Sequence, residues 1–193
     1  MSAVLRLAPI LPTPDPDTVM RYARGKRDRV TDPLLEEVIR EGEPIVDARL
    51  CYLESAVRVC ENRIFFDGCE AESRDLAAHL WGYERAVLFA ATVGAHADRV
   101  IARTERFSPA KALLFDAYFT ERVEALCDLF TARYNDPFRR FSPGYGDLPL
   151  EFQRDLFRVL DCPRTIGVTL GDQLLMMPTK SVTAIIGVKE KQP

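Results

Sequence analysis

The chain has 193 residues, of which 47% are hydrophobic and 28% are charged, and its formal net charge is -3. This size and composition predict one domain with a sizeable core, and the charge argues against a nucleic-acid-binding protein, which needs a basic surface. No apolar run approaches the roughly 20 residues of a membrane helix, and the start of the chain lacks a secretory signal. A cytoplasmic protein is therefore expected, with its five cysteines reduced.

In the first half of the chain, segments whose apolar residues are spaced as in strands alternate with segments whose apolar residues are spaced as in helices. Asp17 is the predicted N-cap of the first helix, and Thr31, with Pro33 close behind it, opens the second helix. Glu61 and Asn62 supply a turn inside a long extended stretch. The predicted elements are a strand at 5–11, helices at 17–23 and 31–40, extended chain at 49–66, a helix at 73–81 and a buried strand at 86–94.

A long helix dominates the second half. Ser108 is its predicted N-cap because Pro109 follows at the first helical position, and apolar residues between Leu113 and Phe130 share one face. The helix stops at an Asn-Asp-Pro triplet. The remaining elements are a helix from Pro149, strands at 165–170 and 173–177 joined by a Gly-Asp hairpin, and a strand at 181–188.

Helices and antiparallel strands are thus segregated along the sequence. We predict an α+β fold with a single domain, in which a twisted antiparallel sheet is flanked by helices and one helix is long and central.

The chain offers little for a metal site or a hydrolytic triad. Cys51, Cys60 and Cys69 are nine residues apart, too wide for a zinc knuckle, so small core residues are the simpler interpretation. His79 lies in an amphipathic helix. His96 follows a strand end where backbone N–H groups would suit an anion, although an ordinary strand-to-helix turn is the simpler interpretation.

Residues 139–149, RRFSPGYGDLP, are the most unusual stretch. Proline and glycine define a stiff turn with Arg140 at one end and Tyr145 at the other. A guanidinium clamps a carboxylate, the backbone at Ser142 and Gly144 is little covered, and a tyrosine ring suits a flat or cationic group. An α-amino acid with an attached cation or aromatic ring would suit this combination. From the residues alone, a structural loop with a solvated arginine is the simpler interpretation.

The order of motifs around this turn resembles the activation domain of cobalamin-dependent methionine synthase. That family has an Arg-x-x-Pro-Gly-Tyr turn, a helix, an Ile-Gly-x-x-Leu strand and a Met-x-Pro-x-x-Ser-Val segment, and this chain has all four in that order. The resemblance is best over residues 108–188, and residues 1–80 carry no motif of the family. It implies one activation-domain-like unit over residues 1–193.

The resemblance implies that the protein binds S-adenosylmethionine. Arg140 would clamp the methionine carboxylate, and Tyr145 would line the site. The backbone of Ser142 and Gly144 would contact the ligand. Glu124, on the long helix, matches an acidic position that contacts the ligand near its amino or sulfonium group.

The resemblance also implies a partner, which is a separate cobalamin-binding methionine synthase without its own activation domain. The chain would dock on its cobalamin domain for the reductive methylation of cob(II)alamin, with an electron from a flavodoxin-type donor. It would thus be a component of a methyltransferase activity in methionine biosynthesis rather than an enzyme alone.

Two departures from the family leave other functions open. The family has an acidic residue well before the long helix and a tyrosine after the last matched strand, and this chain has no counterpart of either. One alternative is a non-catalytic docking module for a corrinoid protein that has lost S-adenosylmethionine binding. Another is an activator of a different corrinoid methyltransferase.

Overall fold

The computed structural model of the chain describes residues 3–134 and 140–189. The described residues form nine strands and seven α-helices. The strands are β1 (Leu5–Leu7), β2 (Arg49–Ala56), β3 (Arg58–Cys60), β4 (Arg63–Phe66), β5 (Cys69–Glu72), β6 (Arg85–Thr92), β7 (Thr169–Leu170), β8 (Met176–Met177) and β9 (Ser181–Val188). The helices are α1 (Pro16–Tyr22), α2 (Thr31–Gly42), α3 (Arg74–His79), α4 (Ala95–Glu105), α5 (Pro109–Thr131), α6 (Gln153–Leu160) and α7 (Cys162–Thr165), with 3-10 turns at Glu43–Ile45 and Leu150–Phe152.

The central sheet has four strands in the order β1-β2-β6-β9, and every neighbouring pair is antiparallel. A second antiparallel sheet contains β3, β4 and β5, and β7 pairs with β8. Helices flank these strands, and α5 runs for 23 residues. The predicted α+β class, with an antiparallel sheet and one long helix, is therefore confirmed.

Helices cover both faces of the central sheet. Phe89 of β6 packs against Phe130 of α5, with 5.1 Å between the ring centroids. On the opposite face, Leu88 packs in one cluster with Leu156 of α6. Because β6 is covered on both faces, residues 86–92 are all buried, whichever face they point to.

The long helix begins where the capping pattern predicts. The Ser108 hydroxyl accepts a hydrogen bond from the backbone N–H of Lys111 at 3.4 Å, and Pro109 is the first helical residue. The helix ends at Thr131. The predicted stop at residues 135–137 and the neighbouring Arg139 lie outside the described residues.

The first helix has a different cap from the predicted one. Asp15, not Asp17, is its N-cap, and the carboxylate of Asp15 accepts the backbone N–H of Asp17 at 3.1 Å. The prediction was wrong because Pro16 takes the first helical position, which moves the cap to the residue before it.

The predicted hairpin at 165–177 is shorter than its alternating pattern indicates. Asp161 adopts a left-handed conformation (φ 46°) that ends α6, and Pro163 then stands in the first turn of α7. Strands β7 and β8 therefore keep two residues each. They are joined by a wider loop than the predicted two-residue turn, closed by a hydrogen bond from the Gly171 N–H to the Leu175 carbonyl at 2.9 Å.

Candidate functional site

The turn after the long helix is attached to the edge of the central sheet. Phe141 and Ile185 of β9 exchange two backbone hydrogen bonds, with N···O distances of 2.9 and 2.8 Å. The Phe141 ring packs into the cluster on the α6 side of the sheet, whereas the preceding Arg140 contacts α5. The segment therefore crosses the edge of β9 and connects the two sides of the molecule.

A reciprocal cap holds the other end of the turn on α3. The carboxylate of Asp147 accepts hydrogen bonds from the Ser73 hydroxyl and from the backbone N–H groups of Arg74 and Asp75, the latter two at 3.0 and 3.1 Å. Asp75 in return accepts the backbone N–H of Asp147 at 3.1 Å. The hydrogen bond from Ser73 is the main cause that holds the pKa of Asp147 well below its usual range.

Both glycines of the turn have positive φ angles. Gly146 has φ +52°, and a Cβ atom there would lie 2.1 Å from Oδ2 of Asp75. Gly144 has φ +87°, and its N–H donates to the Leu148 carbonyl at 2.9 Å. The conformation of the turn therefore requires glycine at these positions.

A small cleft opens where the turn meets α5 and β9. It has a volume of about 220 Å³ and is lined by Glu124, Arg140, Ser142, Tyr145 and Val182. Four of its five lining residues are predicted site residues, and they come from two elements, α5 and the turn. The fifth predicted residue, Gly144, is exposed and does not line the cleft.

Ion pairs with α5 hold Arg140 at the base of the turn. Its Nη2 atom lies 2.8 Å from Oε2 of Glu124 and 3.0 Å from Oδ1 of Asp128. Burial lowers the pKa of Arg140, but the nearby charges on α5 raise it, and the net shift is upward. The guanidinium therefore stays charged although only 20% of its side chain is exposed.

Ser142, Gly144 and Tyr145 differ in which of their groups already form contacts within the turn. The Ser142 carbonyl already accepts the Tyr145 N–H at 3.0 Å, and the N–H of Gly144 is also used within the turn. The side chain of Tyr145 is 58% exposed, and its ring meets that of Phe141 edge-on at 6.1 Å. Tyr145 is therefore a largely exposed aromatic residue that lines the cleft.

Sequence reasoning missed three residues near the cleft. Val182 lines it from β9, and Asp128 completes the ion pairs of Arg140. Tyr22, at the end of α1, has a raised pKa, caused first by burial and then by the charge of Glu124. Of these three residues, only Asp128 could have been predicted from the sequence, because it lies four residues after Glu124 and therefore on the same helix face.

The sequence candidates outside the cleft do not converge on a second site. Within residues 3–134 and 140–189, no group of His, Cys, Asp and Glu side chains is arranged to hold a metal ion. Of the three cysteines predicted to be small core residues, Cys51 is buried and Cys69 is half-buried, but Cys60 is exposed, so the prediction was wrong for Cys60. The His79 ring packs against Phe141 at 5.3 Å, and His96 is an exposed residue at the start of α4. Every helix in the same described part of the chain is too short or too polar to cross a membrane.

Comparison with known proteins supports the resemblance found in the sequence. Residues 115–192 match the family model of the vitamin B12 dependent methionine synthase activation domain. The matched range contains every residue that lines the cleft. The predicted resemblance to this activation domain is therefore confirmed.

One solved structure has the same fold over nearly the whole chain. It is the MetH reactivation domain bound to AdoHcy, which aligns with a TM-score of 0.68 over 99% of this chain and 80% of that chain. The two sequences are 13% identical, so this likeness shows the fold alone. A search of curated proteins found no match.

Proposed function

We propose that the chain binds S-adenosylmethionine in the cleft of Arg140 and acts as a reactivation subunit of a separate methionine synthase. The carrying observation is the convergence of Glu124, Arg140, Ser142 and Tyr145 on one cleft. Glu124 precedes Arg140 by 16 residues, so tertiary folding has to bring them together. The family match over the same residues and the AdoHcy-bound structure of similar fold support the choice of ligand.

The chemistry of the cleft fits the amino-acid end of this ligand. Arg140 would bind the carboxylate, and Glu124 would accept hydrogen bonds from the ammonium group. The cleft of about 220 Å³ is smaller than a typical ligand pocket of roughly 300–1,000 Å³. It would therefore hold the methionine end, and the adenosine would lie against the exposed ring of Tyr145. The side-chain hydroxyl of Ser142 would donate to the ligand, whereas the turn already uses the Gly144 N–H.

Docking on the partner completes the proposed function. The mouth of the cleft is open at Tyr145, so bound S-adenosylmethionine would face a cobalamin domain placed over the turn. When bound, it would supply the methyl group for reductive methylation of cob(II)alamin, with one electron from a flavodoxin-type donor. We place this activity in methionine biosynthesis in the cytoplasm.

Two measurements test the proposal. Calorimetric titration with S-adenosylmethionine should give saturable binding to the isolated chain or to the chain mixed with its partner. A methionine synthase that lacks an activation domain, prepared in the cob(II)alamin form, should regain activity faster when the chain is added with ligand and reductant. No heat in either mixture and an unchanged rate of reactivation would contradict the proposal.

A second candidate function is docking on a corrinoid protein without ligand binding. The observation that favours it is that protein carboxylates already pair with the guanidinium of Arg140. This function predicts that the chain co-purifies with a corrinoid protein and gives no heat with S-adenosylmethionine. Repeating the pull-down with several corrinoid methyltransferases separates an activator of methionine synthase from an activator of another enzyme.

A further inference from the structure

Two carboxylates of α5 share one nitrogen atom of Arg140. Glu124 and Asp128 are one helical turn apart, and their oxygens lie 2.8 and 3.0 Å from the same Nη2 atom. The side chains of Glu124 and Asp128 are 34% and 56% exposed. Among the described residues, this cluster therefore has two negative charges against one positive charge. Glu124 and Arg140 line the cleft, and Asp128 is connected to it through the ion pair with Arg140.

The charge of this cluster distinguishes between ligands of the same shape. S-adenosylmethionine has a carboxylate, an ammonium group and a sulfonium, and so has one net positive charge. Its thioether analogue S-adenosylhomocysteine lacks the sulfonium charge and is neutral. A cluster with one excess negative charge is balanced by the first ligand and stays unbalanced with the second.

We propose that Asp128 is a specificity-determining residue that makes the cleft prefer a sulfonium ligand over the neutral thioether. This inference rests on the proposed function. Glu124 pairs with the ligand ammonium, and the carboxylate of Asp128 supplies the additional charge that only the sulfonium balances. The sequence resemblance gives no role to Asp128, and its position follows from the pairing with Arg140.

Asp128 also competes with the ligand for Arg140, and this second effect can be separated from the first. Both ligands carry the same carboxylate, so removing the competition changes both affinities by the same factor. Removing the negative charge also changes the interaction with the ammonium and the carboxylate, but by the same amount for both ligands, and it changes the interaction with the sulfonium for S-adenosylmethionine alone. The ratio of the two dissociation constants therefore reports the charge preference alone.

The test is calorimetric titration of S-adenosylmethionine and S-adenosylhomocysteine into the native chain and the Asp128→Asn variant. The native chain should prefer S-adenosylmethionine, and D128N should reduce that preference about tenfold, as expected for charges several Å apart near a protein surface. The preference of the native chain should also shrink at high salt, because Asp128 is half exposed and its charge is screened.

Asp116→Asn is the matched control. Asp116 lies on the same helix, is 52% exposed and pairs with Lys180 at 2.7 Å, but lies about 18 Å from Asp128 along the helix axis. The Asp116→Asn variant should leave the ratio of the two dissociation constants unchanged. Asp128→Glu keeps the charge and should keep the preference, which also guards against a D128N variant that does not fold.

The outcomes distinguish this inference from the proposed function. An unchanged ratio in D128N, or an equal change in D116N, overturns the role of Asp128 and leaves the proposed function intact. A native chain that binds both ligands equally also overturns the role of Asp128 and leaves the proposed function intact. A native chain that binds neither ligand, alone or with its partner, overturns the proposed function and this inference together.

Discussion

Arg140 keeps a constant charge while its partners can be exchanged. Its side chain is four-fifths covered, so leaving the guanidinium unpaired would be costly. Glu124 and Asp128 prevent this in the described structure, and a ligand carboxylate would take the place of one of them. In the proposed function, these carboxylates would hold the guanidinium in position for the ligand.

Replacing Arg140 with alanine should weaken S-adenosylmethionine binding by about 2–4 kcal/mol, because the ligand carboxylate would lose a charged hydrogen-bond donor and face two unpaired carboxylates. Titration calorimetry measures the change. Arg85→Ala is the control, since Arg85 pairs with Glu54 at 2.6 Å on the surface and lies outside the cleft. Native affinity in Arg140→Ala would remove the proposed role of this arginine.

At the scale of elements, the turn and α3 form one unit because each caps the other. The Asp147 carboxylate satisfies N–H groups at the start of α3, and Asp75 satisfies the N–H of Asp147. The turn also pairs with β9 through Phe141. The geometry of the cleft therefore depends on a short helix that contributes no lining residue.

Gly146→Ala should destabilise the protein more than Gly82→Ala does. Both glycines have positive φ, but a Cβ at Gly146 meets Asp75 at 2.1 Å, whereas nothing lies within 4 Å of one at Gly82. We expect G82A to cost about 1 kcal/mol and G146A about 1–3 kcal/mol more, in urea unfolding. Equal effects would show that the reciprocal cap tolerates the extra atom.

The cap should also make the stability of the protein depend on pH in the acid range. The pKa of Asp147 is lower in the folded chain than in the unfolded chain, so its contribution is complete above about pH 5 and is lost as the pH falls through and below about 4. Asp147→Asn should therefore lower the melting temperature at pH 7. The melting temperature of the variant should also fall less between pH 5 and pH 3 than that of the native chain. Parallel melting curves for the native chain and D147N across that range would contradict this.

At the scale of the whole molecule, α5 joins the core to the site. Its apolar side packs on the central sheet, and it also contacts α1, α2 and α4. It places Glu124 at the cleft and Asp128 against Arg140. A loss of packing in α5 should therefore affect stability and ligand binding together.

Leu126→Ala tests how much the packing of α5 contributes to stability. Leu126 is fully buried and lies between Glu124 and Asp128 in the sequence. The substitution should lower the free energy of unfolding by about 2–5 kcal/mol, measured with urea. Leu113→Ala, on the same helix but 55% exposed, should change it by less than about 0.5 kcal/mol. Similar losses in both variants would argue against a packed α5–sheet interface.

The sequence was sufficient for features that depend on local chemistry. Ser108 caps α5 as its pattern predicts, and β9 spans the predicted residues 181–188. The alternating pattern at 165–170 failed because the left-handed Asp161 redirects the chain into α7. The pairing of Arg140 with Asp128 was not predicted, since it depends on how the turn packs on α5 and not on either segment alone.

The strand order has a mechanical consequence. Strands β1 and β9 are the two edges of the central sheet, and the antiparallel pairings place Leu5, the first residue of β1, level with Ala184 of β9. These two residues are three strand spacings apart, or about 14 Å. A force that pulls them apart acts across the strands and opens backbone hydrogen bonds one pair at a time. The domain should therefore unzip from its edges at low force instead of resisting by shear.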